Sequence, residues 1–452
     1  MTTDLTAAQE RLARNLGLGD GRYALYPPPS AFGGFDDADL TTAIRISNGD
    51  PIPAQLALHF DIPASYRSSF RRADAPLLEQ DRVRAEAYRD RLVREVGLVG
   101  RLFDRDRDVV GVSLAPGMTR WMSPQQVAEL LESLGRHFHV RRSGIDLSMT
   151  LDLDTPSAAP LEEWARLGFN RVSISLAAIM DADAPALEVA RLVERARNAD
   201  FANLRIELPY GPSTPPTLAA VLVAAIKAAP ERVGLRYCPP ADEAQVGADP
   251  AVIQQGRART LLAAADALEA AGYLHVGVDL FARPNDPLIL ARQRKQLYRD
   301  ALGFGAHGAT HLVGFGVGAI SQLGGCHAQN PLQLAAWEAR IDRGNRAVER
   351  GVALNDDDQL RAEVLQHILC YGRIETDQLE HHHHVDFRAY FAAELQRLQP
   401  LLADGSLHWD GDALVLDHTA RLSSRAVASQ FDPMHAAAHA MAGLAPAAGR
   451  LQ

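Results

Sequence analysis

The sequence predicts an α/β protein. Its main body reads as a full or partial (β/α) barrel of TIM-like kind, followed by an α-rich C-terminal domain. Three observations carry this reading. Short β-rich apolar runs alternate with helix-period segments from about residue 55 to 320. The helical segments are long enough to serve as crossovers between parallel strands, and so many repeats suggest a barrel. From about residue 350 the alternation stops and amphipathic helical runs take over.

The elements follow in order. "QLALHF" (55–60) reads as the first strand and "EQDRVRAEAYRDRLVREVGLVGRLF" (79–103) as a long helix. "VVGVSL" (109–114) is a second strand, and Ser123 is placed to N-cap the helix that follows it. Strands "GIDLSMTLD" (144–152), "RVSISLA" (171–177), "LRIELPYG" (204–211) and "RVGLRYCPP" (232–240) come next, each preceded by a helical segment. The helix "GRARTLLAAADALEAAG" (256–272) and the run "YLHVGVDLFARP" (273–284) repeat the unit once more. Beyond them, "DDDQLRAEVLQHILCYG" (356–372) and "FRAYFAAELQRLQPLLADG" (387–405) are amphipathic helices, and "SLHWDGDALVLDHTA" (406–420) is a hairpin. The boundaries drawn are 1–50 for an N-terminal arm, 51–330 for the barrel and 331–452 for the C-terminal domain, which has a winged-helix flavour.

Composition narrows the function. The 452 residues hold 56 acidic and 46 basic side chains, a net charge of −10, which gives no pull toward nucleic acid or anionic membrane. No uninterrupted apolar run approaches the roughly 18 residues of a membrane span. The start, "MTTDLTAAQERLARNLGLGDG", is charged and lacks a signal peptide's apolar core. Cys238, Cys326 and Cys370 are far apart in the chain and form no CxxC. The expectation is a cytoplasmic protein without disulfides.

In a barrel the working groups stand at the carboxyl ends of the strands. That would bring "DIPASYRSS", "APGMTR", "LDLDTP", "PYGPSTPP", "YCPP" and "FARPND" around one mouth. In the first of these, a strand runs through Pro63 into Ser65, Tyr66, Arg67, Ser69, Phe70, Arg71 and Arg72, which make no familiar catalytic set. The arginines there read either as a solvated charged loop or as an anion site at the mouth.

"GRYALYPPPSAF" (21–32), "GFNRVSIS" (168–175), "GVDLFARPNDPL" (277–288), "HLVGFGVGAISQLGGCHAQN" (311–330) and "RGVALNDDDQLRAEVLQHILC" (350–370) resemble the oxygen-independent coproporphyrinogen III oxidases. These are radical S-adenosylmethionine (SAM) enzymes of haem biosynthesis. The resemblance covers the chain from about residue 20 to 440. It implies a radical-SAM-type partial barrel and the C-terminal helical domain of the family.

It also gives the opening loop a meaning. The family has HIPF followed by CxxxCxxC, whose thiolates hold a [4Fe–4S] cluster. Here Asp61-Ile62-Pro63 replaces HIP, and the cysteine positions fall on Ser65, Ser69 and Arg72. The family's GGGTP, which approaches SAM, falls on Ala115-Pro116-Gly117-Met118-Thr119. The acidic residue of IEVDP falls on Thr150, although Asp152 persists, and a glutamine after the next strand becomes Ala177. The segment after it is shorter than in the family. From these losses no cofactor is expected: no [4Fe–4S] cluster and no SAM held in the family's way, with a tetrapyrrole as a candidate ligand.

Other features are retained. Arg22, Tyr26, Phe281, Arg283 and the glycine-rich run up to Ile320 match regions that lie on or support the family's substrate side. They persist either for turns and packing or because a carboxylate-bearing molecule still binds. Arginine suits propionates, since its planar fork accepts a carboxylate bidentately. With Arg67 and Arg71 of the loop, and His307 where the family has a glutamine beside a second SAM, these are the candidate ligand-binding residues. "LEHHHHVDF" offers His381 and His383 as metal ligands, and "MHAAAH" puts His435 and His439 on one helical face. Exposed polar surface is the plainer reading of both, and no metal is assigned.

The expected function is therefore a homologue of the oxidase that has lost radical chemistry and binds a tetrapyrrole or another carboxylate-bearing ligand in a haem-related accessory role. The dehydrogenase activity itself is expected to be absent. The alternatives are an enzyme reusing the barrel mouth for cluster-free chemistry, or a non-catalytic partner of an active paralogue. The expected partner is a small molecule such as porphyrin or haem.

Overall fold

The computed structural model describes residues 2–18, 25–63, 79–141, 144–152, 160–176, 185–211, 218–238 and 250–434. Six parallel strands form the centre of one large sheet: β1 (Leu56–Phe60), β2 (Asp108–Leu114), β3 (Asp146–Asp152), β4 (Arg171–Ser175), β5 (Asn203–Tyr210) and β6 (Arg232–Tyr237). They pair in chain order, each parallel to the one before. Helices Glu79–Gly100, Pro124–His137, Leu161–Arg166, Pro185–Asn198 and Leu218–Ala228 connect them. This is the expected α/β repeat.

Local chemistry explains the connections. Ser123 caps its helix as expected: its hydroxyl accepts from Gln126 N at 3.3 Å, and the Gln126 side chain accepts from Ser123 N at 2.9 Å. Pro124 fits the first helical turn, where no N–H is needed.

The strands alternate in a consistent way. Leu56, Leu58 and Phe60 of β1, Val109, Val112 and Leu114 of β2, and Leu204, Ile206 and Leu208 of β5 are buried in the main core. The residues between them are small or polar and half-buried: Ala57 and His59, Gly111 and Ser113, Ser148 and Thr150, Arg171 and Ser173, Arg205 and Glu207. Parallel strands covered on both faces by helices are apolar throughout. Here, among the described residues, the connecting helices pack on the convex face, and the concave face is lined largely by small and polar side chains.

The run at 273–284 departs from expectation. It is not a further parallel strand but an antiparallel hairpin, β7 (Leu274–Gly277) and β8 (Leu280–Ala282). Strand β8 runs antiparallel to β6, with Ala282 opposite Arg232. The chain turns at Val278, which takes a positive φ of 52°, and among the described residues the sheet ends with this hairpin and does not close into a full barrel.

A short hairpin, β9 (Tyr298–Asp300) and β10 (Gly303–Gly305), follows. Strand β11 (His311–Phe315) then adds parallel to the outer side of β1. Antiparallel strands β12 (Ile320–Leu323), β13 (Cys326–Gln329) and β14 (Arg350–Ala353) extend that edge. The glycine-rich run is required by these turns. A Cβ on Gly316, whose φ is +99°, would stand 2.5 Å from the Asp61 carbonyl oxygen.

The C-terminal part has its own core, in which Leu360, Val364, Ile368, Phe387, Phe391 and Phe431 pack with Tyr26 from the N-terminal arm. The expected hairpin is present as β16 (Leu407–Asp410) and β17 (Ala413–Leu416), with β15 (Arg373–Glu375) as a third strand. Among the described residues no helix is long and apolar enough to cross a membrane.

Candidate functional site

The polar face of the sheet encloses a cavity of about 480 Å³. Strands β1 to β6 supply its floor, and the β9–β10 hairpin with the segment to Thr310 lies over it. Its size falls within the usual range for small-molecule sites, and its lining is more polar than most.

The lining carries several polar pairs. His59 Nδ1 lies 2.8 Å from the Ser113 hydroxyl. Asp146, at the start of β3, sits 2.8 Å from Arg171 Nε and 3.3 Å from His307 Nε2. Burial would raise the Asp146 carboxyl, but His307 and Arg171 together override it and hold the group below the usual carboxylate range. One register step away, Arg205 pairs with Glu207 on β5. Deeper still, Asn203 and Arg232 both reach Asp286.

The roof is held as firmly. The Asp300 carboxylate accepts the N–H groups of Leu302 and Gly303 at 2.8 and 3.1 Å, which fixes the β9–β10 turn. Gln366 clasps Arg299, accepting from its N–H at 3.0 Å and donating to its carbonyl at 2.5 Å. The C-terminal domain therefore anchors the cover of the cavity. The arrangement offers fixed cations, a fixed carboxylate and a histidine around one polar space, which suits an anionic or hydrogen-bonding small molecule.

The residues expected from sequence are found in several places. Ala115, Pro116 and Thr150 line the cavity. Gly117 keeps a positive φ of 84° as N-cap of the turn Met118–Trp121, so the one glycine retained there is the one the backbone requires. Asp152 ends β3, in register with Ser175. His307 lines the cavity and has the partner described above. Arg22, Ser65, Arg67, Ser69, Arg71, Arg72, Ala177, His435 and His439 lie outside the described residues.

The expected place of "FARPND" at the mouth is corrected, and the other candidates are found elsewhere in the fold. Because β8 is antiparallel, "FARPND" leaves the sheet at the amino end of β6, opposite the mouth. Phe281 is fully buried beside His275, with ring centroids 4.9 Å apart. Arg283 lies over the Tyr273 ring at 4.6 Å and donates its N–H to Glu231 O at 3.0 Å. Tyr26 is buried at the junction with the C-terminal core, where its carbonyl accepts from His327 Nε2 at 2.9 Å. Ile320 pairs with Gln329 on the antiparallel flank. His381 is exposed, and His383 sits on the C-terminal domain.

Sequence reasoning missed His59, Asp146, Arg171 and Arg205. The signal was present in "ALHF", "RVSIS" and "RIELPY", where polar residues alternate with apolar ones at a period of two.

Comparison with known proteins places the geometry. No family model matches the chain. The oxygen-independent coproporphyrinogen III oxidase of Pseudomonas aeruginosa is 30% identical over 442 residues, covering 93% of this chain and 95% of that protein. The Synechocystis protein of the same name is 26% identical over 453 residues, 96% of this chain and 97% of its own length. The solved structure of coproporphyrinogen III oxidase (HemN) from Escherichia coli, a radical SAM enzyme, matches with a TM-score of 0.76 at 26% identity. The match covers 91% of this chain and 97% of that one.

The relatives overturn the expectation of neither a [4Fe–4S] cluster nor SAM, since the solved structure that this chain matches over 91% of its length is that of a radical SAM enzyme. Cluster irons are held by thiolates, and positions 65, 69 and 72 supply two hydroxyls and a guanidinium. The thiols present stand on separate elements. Cys238 follows β6, while burial pushes both Cys326 and Cys370 up to about 12. These residues do not fit the group, and none of the chemistry below runs through it.

Proposed function

Starting from the fact that the chain belongs to the oxygen-independent coproporphyrinogen III oxidase family, we propose that it holds a tetrapyrrole or another carboxylate-bearing molecule on the concave face of its barrel, in a haem-related accessory role. The observation that carries this reading is the cavity lining: Arg171 and Arg205 face one space together with His59 and His307. A propionate entering there meets planar donors already positioned by Asp146 and Glu207. Those carboxylates pair with the two guanidiniums, and an incoming carboxylate competes with them for the same forks. The accessory role is supported by the side chains at 65, 69 and 72.

Coproporphyrin III and haem are titrated into the purified protein and followed by absorbance and fluorescence. Saturable binding, weakened about tenfold or more by Arg171→Ala with Arg205→Ala, is expected. Binding that the double variant leaves unchanged removes the cavity from the reading. An anaerobic assay of coproporphyrinogen III turnover on cluster-reconstituted protein tests the role. Turnover by the wild-type chain would replace the accessory role with the oxidase activity itself.

A further inference from the structure

The four histidines of "LEHHHHVDF" do not behave alike in the fold. The helix Thr376–His383 ends among them, and His384 turns the chain with a φ of 55°. His381 and His384 are exposed. His382 and His383 instead converge on Glu363 of the neighbouring helix Asp356–Gln366. His382 Nδ1 and His383 Nε2 each lie 2.9 Å from the same carboxylate oxygen, Glu363 Oε2. The three ligand-type atoms stand within 4.8 Å of one another.

We propose that Glu363, His382 and His383 form a divalent-metal site of the borderline class that includes Zn²⁺. Imidazole nitrogen and carboxylate oxygen are that class's ligands, and two histidines with one glutamate leave a fourth position open. Tetrahedral zinc at about 2.1 Å needs donors about 3.4 Å apart, within reach of side-chain adjustment here. An ionised carboxylate only accepts, so both ring nitrogens now point a proton at Glu363. The metal takes the place of those protons, and they leave to solvent or through a change of tautomer.

The surroundings supply a second observation. Glu363, His382 and His383 line one side of a separate cavity of about 550 Å³ that also contains Gln359 and His367. The open position has room for water or a small ligand. His383 is held in place with 13% of its side chain exposed, whereas His382, at 69%, stands on the solvent side. Because its ligands come from two packed helices, the metal would tie them together.

The test uses the full chain without an affinity tag, stripped with EDTA and titrated with Zn²⁺ by calorimetry, with thermal unfolding read in parallel. One Zn²⁺ per chain and a raised Tm are expected. Glu363→Gln and His383→Ala should each weaken binding at least about tenfold and cancel the rise in Tm. The double variant His381→Ala/His384→Ala should bind like the wild type. Circular dichroism checks that each variant folds, and His382→Ala, on the exposed ring, stands in should Glu363→Gln not fold. Three results would overturn the proposal: no binding by the wild type, unchanged binding by Glu363→Gln and His382→Ala, or loss of binding in the His381/His384 variant. The last would mark simple polyhistidine affinity.

Discussion

Arg232 and Asp286 form a two-pronged ion pair beneath the cavity, with Nε–Oδ2 at 2.8 Å and Nη2–Oδ1 at 2.9 Å. The aspartate side chain is fully buried and the arginine is 10% exposed. Asp286 also accepts from Asn203 at 3.0 Å and from the N–H of Leu288 at 2.8 Å, so it caps the next helix as well. Removing one partner strands a buried charge. Asp286→Ala should cost about 3–5 kcal/mol in urea unfolding. Replacing both residues with apolar ones of similar volume should cost less than the single change, because no charge is then left unpaired.

Glu95 ties the helix Glu79–Gly100 to the glycine-rich turn. It accepts from Gly316 N at 2.8 Å, Asn330 Nδ2 at 2.7 Å and Trp337 Nε1 at 3.2 Å. Burial pushes its carboxyl up to about 7, against the pull of those hydrogen bonds. A raised carboxyl binds its proton more tightly in the folded state. Its contribution is complete below the unfolded value near 4.5 and is lost as pH rises through about 7, a fall of roughly 3 kcal/mol. Glu95→Gln should flatten that fall when urea midpoints at pH 5 and 7.5 are compared with wild type.

His275 has the opposite slope. Its Nε2 lies 2.9 Å from Val278 O, and burial, reinforced by Arg421, pulls the imidazole down to about 3. The unfolded chain takes up a proton near 6.5 that the fold refuses, so stability is lost as pH falls from there toward 3. His275→Gln should reduce the acid sensitivity of the thermal midpoint between pH 6.5 and 4. A variant as acid-sensitive as the wild type would assign the effect to other groups.

Gly316→Ala should destabilise by about 3 kcal/mol or more. It combines a strained φ with a Cβ pressed against the Asp61 carbonyl and the Tyr88 hydroxyl. That hydroxyl donates to Asp61 O at 2.8 Å and accepts from Val317 N at 2.9 Å, so the clash would also disturb this bridge. An alanine variant with an unchanged urea midpoint would show that the turn relaxes.

Much of this was legible in the sequence. The β/α repeat, the Ser123 cap, the C-terminal hairpin and the family likeness follow from periodicity, turn chemistry and motif. The direction of β8 was not, because "YLHVGVDLFARP" has the apolar content of a buried strand. Only the turn at Val278, a β-branched residue with positive φ, reverses the chain there. Phe281 and Arg283 were therefore expected at the wrong end. The histidine–glutamate cluster was also out of reach, since Glu363 and His383 meet only after two helices pack. Of the two histidines offered there, His381 is exposed, while His383 meets Glu363 together with its neighbour His382.

The alternation along β1 to β5 has a consequence for how such a chain can change over time. Its convex side chains hold the molecule together, while its concave ones touch mainly each other and whatever enters the cavity. On the proposed reading, exchanging Ser173, which lines the cavity, for another small polar residue would alter what is recognised and leave the folding free energy nearly as it was. Inherited architecture and ligand preference are thus separable in this sheet, and a lineage could swap one ligand for another without passing through an unfolded ancestor.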